Sequence, residues 1–181
     1  IKPKVILPSE HEYALLKMKE QLVVKRYQPN TQKSYMSCMA EFLSYYAGKV
    51  VEEINMEDIR AFMLHKINKD KISESTQNSI INSIKFYFEN IQKREKFYVY
   101  DLRPRMPNKL PGFLSKEDTT KLLKVTENIK HRAILQLIYS AGLRLGELTR
   151  LKIRDVKFDM NIIEIKDAKG KKDRITILSA K

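Results

Sequence analysis

Apolar side chains recur at helical spacing through the first half of the chain. Leu15, Leu16, Met18, Leu22 and Val23, with Lys and Glu between them, predict an amphipathic helix over residues 12–25 that stops before Pro29. Asn30-Thr31 offers the next N-cap, and Tyr35, Cys38, Met39, Phe42 and Tyr46 carry the stripe of a second helix to Gly48. A third helix starts from Asn55, with Asp58 three residues on, and faces Ile59, Phe62, Met63 and Ile67 inward until about Asn68. Ser73 or Ser75 opens a fourth. There Ile80, Ile81, Ile84, Tyr87, Phe88 and Ile91 point to the core, with Gln77, Asn78, Asn82 and Lys85 on the opposite side. Four helices joined by short loops make a small all-α domain over residues 1–97.

From Tyr98 to Gly112 the helical period disappears and three prolines follow in quick succession, which predicts an extended basic linker over 98–112. Its Arg103 and Arg105 suit a phosphate backbone. A second unit begins at Phe113, with Ser115-Lys116-Glu117-Asp118 as a capping-box-like helix start and another helix over 129–140. The apolar run Ile134-Leu135-Gln136-Leu137-Ile138-Tyr139 breaks at Ser140-Ala141-Gly142, and Leu145, Leu148 and Leu151 then resume helical spacing. Two β-rich runs, 161–166 and 173–178, flank Asp167-Ala168-Lys169-Gly170-Lys171-Lys172 and predict a hairpin with a basic tip. The fold class is mainly α with a small β-hairpin or sheet.

Composition narrows the function. Of 181 residues, 43% are hydrophobic and 31% charged, a globular balance, and no apolar run is long enough to cross a bilayer. No signal peptide stands out, and a first residue of Ile rather than Met suggests a piece cut from a longer chain. One cysteine, Cys38, excludes an internal disulfide and fits a small buried hydrophobe in a reducing, cytoplasmic setting. His11, His65 and His131 share no metal-ligand spacing, so no metal is expected.

The net charge of +13 points to a polyanion. Residues 1–112 hold 19 basic against 13 acidic residues and residues 113–181 hold 16 against 9, so both units carry the excess. If Leu145, Leu148 and Leu151 face a core, Arg144 and Glu147 sit three apart at the rim of a helix start, where outward N–H groups suit an anion such as phosphate. The plain alternative is a surface ion pair between them, worth a few tenths of a kcal/mol.

The run Ala141-Gly142-Leu143-Arg144-Leu145-Gly146-Glu147-Leu148, followed by Leu151-Lys152-Ile153-Arg154-Asp155-Val156, resembles the first catalytic box of the tyrosine recombinases, the phage-integrase family. Residues 114–178 are similar to the first part of that family's α+β catalytic domain. Residues 10–95 resemble its SAM-like core-binding domain, with Thr31-Gln32-Lys33-Ser34-Tyr35, Thr76-Gln77-Asn78-Ser79-Ile80 and Lys85-Phe86-Tyr87. The resemblance implies a site-specific recombinase or integrase that uses neither metal nor nucleotide cofactor. It also implies double-stranded DNA as the partner and, for the full-length protein, a homotetramer on two DNA sites.

By position the resemblance makes Arg144 the arginine that holds the scissile phosphate, Glu147 the acidic residue supporting it, and Lys169 the general acid for the leaving oxygen. A planar, permanently charged guanidinium can bind two phosphate oxygens at once, which suits the charge that builds up there. Lys166, Lys171 and Lys172 lie close enough that a one-step register shift would reassign the lysine. On the helical domain, Gln32, Lys33, Gln77, Asn78, Asn82 and Lys85 are of the types that reach base edges and phosphates, joined by Arg103 and Arg105 and by Lys171 and Lys172 at the tip. The alternative for each of these surfaces is a merely solvated face.

The family pattern continues with a His-x-x-Arg box, another His or Trp and a tyrosine nucleophile, and none of these follows the hairpin here. All nine tyrosines precede Arg144, and Tyr139 falls in an apolar helix as a core position. The expectation is a recombinase fragment without its attacking group. A non-catalytic DNA-binding protein or regulator on the same scaffold is the alternative, and an all-α protein-binding scaffold ranks last because it leaves the charge unexplained.

Overall fold

The chain divides into two units, Ile1–Lys109 and Leu110–Lys181. The structure is a computed structural model that describes residues 8–95, 100–105, 110, 112–166 and 173–178.

The first unit contains α1 (Ser9–Val24), α2 (Pro29–Tyr45), α3 (Met56–Asn68) and α4 (Glu74–Asn90), with a 3-10 turn at Val51–Glu53. Helix α3 starts as its sequence predicts. The Asn55 side chain accepts from the amides of Glu57 and Asp58 at 2.9 and 3.1 Å, and Asp58 Oδ2 accepts from Asn55 N at 2.8 Å. Ser73 rather than Ser75 caps α4, accepting from the Thr76 amide. Helix α2 departs from expectation, because Pro29 and not Asn30-Thr31 opens it. Proline's fixed φ and missing N–H suit the first helical position.

Inward stripes of all four helices meet in one core. Phe42, Phe62 and Phe88 are fully buried, each worth about 1.5–3 kcal/mol of transfer free energy, and the Phe42 and Phe62 rings pack edge-on at 5.1 Å. Cys38 is half-buried against this core. Two expected core positions are instead exposed. Leu16 and Val23 lie on the outer face of α1, where the mixed spacing of its apolar residues puts them, while His11 and Ala14 join Met18 and Leu22 inside. Ile67 is exposed too, and Lys66 takes the inward place on α3, its ammonium held by Glu41 at 2.8 Å and by Asp70. Burial alone would lower the Lys66 pKa, but the hydrogen bonds to the two carboxylates outweigh it and the net shift is upward.

Beyond α4 the expected linker is not extended throughout. Tyr100–Leu102 forms a 3-10 turn, and the Leu102 carbonyl accepts from Gln77 Nε2 at 2.7 Å.

The second unit runs α5 (Lys116–Val125), α6 (Ile129–Ala141), the single turn α7 (Leu145–Leu148), a 3-10 turn at Ile153–Asp155, then β1 (Val156–Lys157), β2 (Ile162–Ile165) and β3 (Arg174–Ile177). The strands form one antiparallel sheet in the order β1-β2-β3, with Ile162 opposite Ile177 and Ile165 opposite Arg174. The predicted hairpin is therefore β2–β3, and β1 adds a strand too short to show an alternating pattern in the sequence. Its core is small: Ala141, Leu143, Ile163 and Ile165 are buried, with Leu137, Leu148, Leu151, Val156 and Leu178 partly so. Tyr139, expected in the core, is exposed because α6 turns Leu137 and Ala141 toward the sheet instead.

Among the described residues no helix is long and apolar enough to cross a membrane. None of their His, Cys, Asp and Glu side chains gather in threes that could hold a metal ion.

Candidate functional site

The site is built where α6 ends. Gly142 caps the helix in the left-handed conformation, φ 59°, which glycine adopts without penalty. The carbonyls left open at that end find donors on β3. Thr176 Oγ1 donates to Ala141 O at 2.9 Å and Arg174 Nη2 donates to Gly142 O at 3.0 Å. A guanidinium at a helix C-terminus is also favoured by the dipole.

Leu143 then enters the core and Arg144 precedes α7. Here the geometry departs from the simple helical reading. Helix α7 is one turn, so the spacing of Leu145, Leu148 and Leu151 does not define a buried stripe: Leu145 is 72% exposed, and Glu147 is 4% exposed in its place. The one-turn element does not supply a helix N-terminus of free amides either, since the Arg144 amide donates to Glu147 Oε2 at 3.0 Å. The exposed cationic group here is the Arg144 guanidinium, whose side chain is 61% exposed.

Glu147 is the fixed point. Its Oε1 accepts from Arg144 Nη1 at 2.8 Å, and its Oε2 accepts from Arg174 Nη2 at 2.9 Å as well as from the Arg144 amide. The Arg144 amide lowers its pKa most; burial opposes this, and the two guanidinium groups add to the lowering, leaving the carboxyl at about 2. Arg144 and Glu147 are thus no surface ion pair. A buried carboxylate holds one end of an exposed guanidinium and leaves the rest of its donor fork facing outward.

Asp155 repeats the device nearby. It is buried and accepts from the Lys152 amide at 3.1 Å, with Lys166 Nζ at 3.4 Å from its other oxygen. The Lys152 amide, opposed by burial and helped by Lys166, lowers its pKa. Glu147 and Asp155 border an open cleft of about 500 Å³ whose lining mixes Arg150, Lys152, Arg154 and Lys166 with Glu164. Charge of both signs makes that cleft a poor anion site.

The remaining candidates fall in two groups. Lys169, Lys171 and Lys172 lie outside the described residues. On the first unit, Gln77, Asn78 and Asn82 come together with Arg103, which donates from Nη1 to Asn78 Oδ1 at 3.1 Å and from Nη2 to Asn82 Oδ1 at 2.8 Å. Because arginine only donates, both amides are oriented with their oxygens toward it. Lys85 lies 3.7 Å from Glu89, and Gln32 is tied back to Tyr27 O at 2.7 Å. Lys33 and Arg105 are exposed.

Arg174 was not singled out from the sequence, although its signal is there. Period-two alternation in β3 puts Arg174 and Thr176 on the face opposite Ile175 and Ile177, and that face turns to α6.

Comparison with known proteins agrees with both units. Residues 15–96 match the model of the phage integrase N-terminal SAM-like domain, and residues 112–181 match that of the phage integrase family. The putative integrase/recombinase y4qK of Sinorhizobium fredii is 31% identical over 166 residues, covering 91% of this chain and 54% of that protein. The tyrosine recombinase XerA of Pyrococcus horikoshii is 34% identical over 141 residues, covering 75% of this chain and 48% of that protein. The chain thus spans about half the length of the curated relatives it matches. Among solved structures, XerH site-specific recombinase bound to difH substrate superposes with a TM-score of 0.65 at 20% identity, covering 98% of this chain and 67% of that one. The Tn1549 transposon integrase in complex with circular intermediate DNA gives 0.59, also at 20%, covering 91% and 58%. At those identities the likeness establishes the fold. With a SAM-like helical unit, the Arg144 turn clamped by a buried glutamate, and integrase matches to both units, the chain belongs to the phage integrase family.

Proposed function

We propose that the full-length protein is a site-specific DNA recombinase, and that the two units described here supply its DNA-binding surface and the first half of its catalytic site. The observation that carries this reading is the exposed Arg144 guanidinium held by the buried Glu147 carboxylate. In the proposed reaction a tyrosine hydroxyl gives its proton to a general base as its oxygen attacks the scissile phosphorus, a 3′-phosphotyrosyl ester forms and the bond to the 5′-oxygen breaks. The 5′-oxygen leaves with a proton, for which Lys169 is the proposed donor. Arg144 binds non-bridging oxygens as they gain charge, and Glu147 keeps its fork aimed without taking up the proton itself.

Duplex DNA is the proposed partner, with Lys33 and Arg105 as phosphate contacts and the Arg103–Asn78–Asn82 cluster as the groove-facing polar patch. Gln32, Gln77 and Lys85 flank these groups, and Lys171 and Lys172 add charge from the hairpin tip. The proposed working form is a homotetramer on two DNA sites in the cytoplasm.

The test is the full-length chain on a nicked duplex carrying its cognate site, followed by denaturing electrophoresis. A denaturation-resistant adduct is expected, and Arg144→Ala should form it about 10²- to 10³-fold more slowly while still folding and binding DNA. Binding without any adduct would instead make the protein a DNA-binding regulator on the same scaffold.

A further inference from the structure

Arg174 belongs to none of the roles assigned so far, yet it touches the element that holds Arg144. Its Nη2 donates both to Glu147 Oε2 at 2.9 Å and to Gly142 O at 3.0 Å. In the sheet it faces Ile165, which makes it the first residue of β3 after the hairpin tip. One guanidinium therefore fastens the base of the hairpin to the end of α6 and to the carboxylate that grips Arg144. Its Nε is buried with no hydrogen-bond partner among the described residues. An unmet buried donor of this kind calls for an explanation.

We propose that Arg174 is a positioning residue: through Glu147 it fixes the direction in which Arg144 presents its guanidinium to the scissile phosphate. The proposal rests on the recombinase reading above. Without Arg174, the Arg144 amide is the one donor left to Glu147 Oε2 among the described residues, and the carboxylate is free to swing about that contact. Arg144 swings with it, because their shared contact runs through Oε1. A displacement of about 1 Å in such a group costs about 10²-fold in rate. Lysine would restore the charge but not the planar fork that reaches a carboxylate and a carbonyl at once.

The experiment uses the full-length chain and its Arg174→Ala and Arg174→Lys variants. Duplex affinity, thermal unfolding and the single-turnover rate of adduct formation on bound, nicked DNA are measured side by side. The expected result is unchanged affinity, a folded protein and an adduct rate about 10²-fold lower in Arg174→Ala. Added guanidinium ion should raise that rate while leaving the unsubstituted protein unaffected. Arg174→Lys should stay slow, and it decides the matter if the alanine variant does not fold. An unsubstituted rate in either folded variant would overturn the proposal, as would a loss accounted for wholly by weaker binding. If the unsubstituted chain forms no adduct, the recombinase reading fails on its own. The positioning link is then read from ¹⁵N signals of the Arg144 guanidinium, which should broaden in Arg174→Ala and which, if unchanged, would refute it.

Discussion

The two units solve the problem of burial differently. Among the described residues, the first closes a core of seventeen buried apolar residues contributed by all four helices and the turn before α3. The second buries four of its described apolar residues, while Phe113, Leu145, Ile153, Ile175 and Ile177 remain exposed. Hydrophobic transfer therefore carries the first unit, whereas the second leans on polar fixtures: Glu147 and Asp155 buried against amides and cations, and β3 side chains capping α6. In the second unit these polar fixtures gather around Arg144 and the end of α6.

The largest test of this contrast uses salt. Both units are basic, and a chain that neutralises about 6–10 phosphates should lose about 10³- to 10⁵-fold in duplex affinity between 50 and 200 mM salt. The first unit alone should show a shallower slope in the same titration. An identical slope would mean that the second unit adds no phosphate contacts.

Next in size, Phe42→Ala should destabilise the first unit by about 3–5 kcal/mol in chemical denaturation, because the fully packed ring leaves a cavity. A much smaller loss would show that this core is not the closed one described.

The units should also part in alkali. The Tyr46 phenol is pushed up to about 12, chiefly by burial, and Lys66 is raised as well, so the folded first unit keeps protons that the unfolded chain releases. Its stability should fall from about pH 10, where unfolded Tyr and Lys titrate, toward pH 12. The second unit's shifted groups, Glu147 and Asp155, are both lowered. The Glu147 contribution should be complete above the ordinary 4.5 and lost as pH falls toward about 2. Hydrogen exchange followed residue by residue across pH would show whether the first unit opens first in base.

Smaller effects complete the comparison. Asn55→Ala removes the α3 cap and should cost about 1 kcal/mol. Leu145→Ala, on an exposed side chain, should stay within about 0.5 kcal/mol. A larger loss there would mean that Leu145 is covered in solution.

The helical unit was legible because its apolar residues repeat often enough to mark four helices, although the mixed spacing in α1 misplaced Leu16 and Val23, and because Asn55 and Ser73 cap helices through contacts only two or three residues away. The hairpin was legible for the same reason, since alternation in 173–178 is local. Arg144 was found through its motif, but its setting was not. Helical spacing put Leu145 inside and Glu147 at the rim, and the reverse holds because α7 lasts a single turn.

By itself, then, the sequence determined what depends on neighbours in the chain: the inward stripes of α2 and α4, the caps of α3 and α4, the hairpin and the basic charge of both units. Only the tertiary structure decided that Glu147 is buried, that Arg174 reaches it from 27 residues away, and that Arg103 turns Asn78 and Asn82 toward itself across 25 and 21 residues. Burying a carboxylate is costly unless donors converge on it, and while Arg144 supplies two of the donors to Glu147 from three residues away, the third comes from β3, distant in the chain, where no local pattern could announce it.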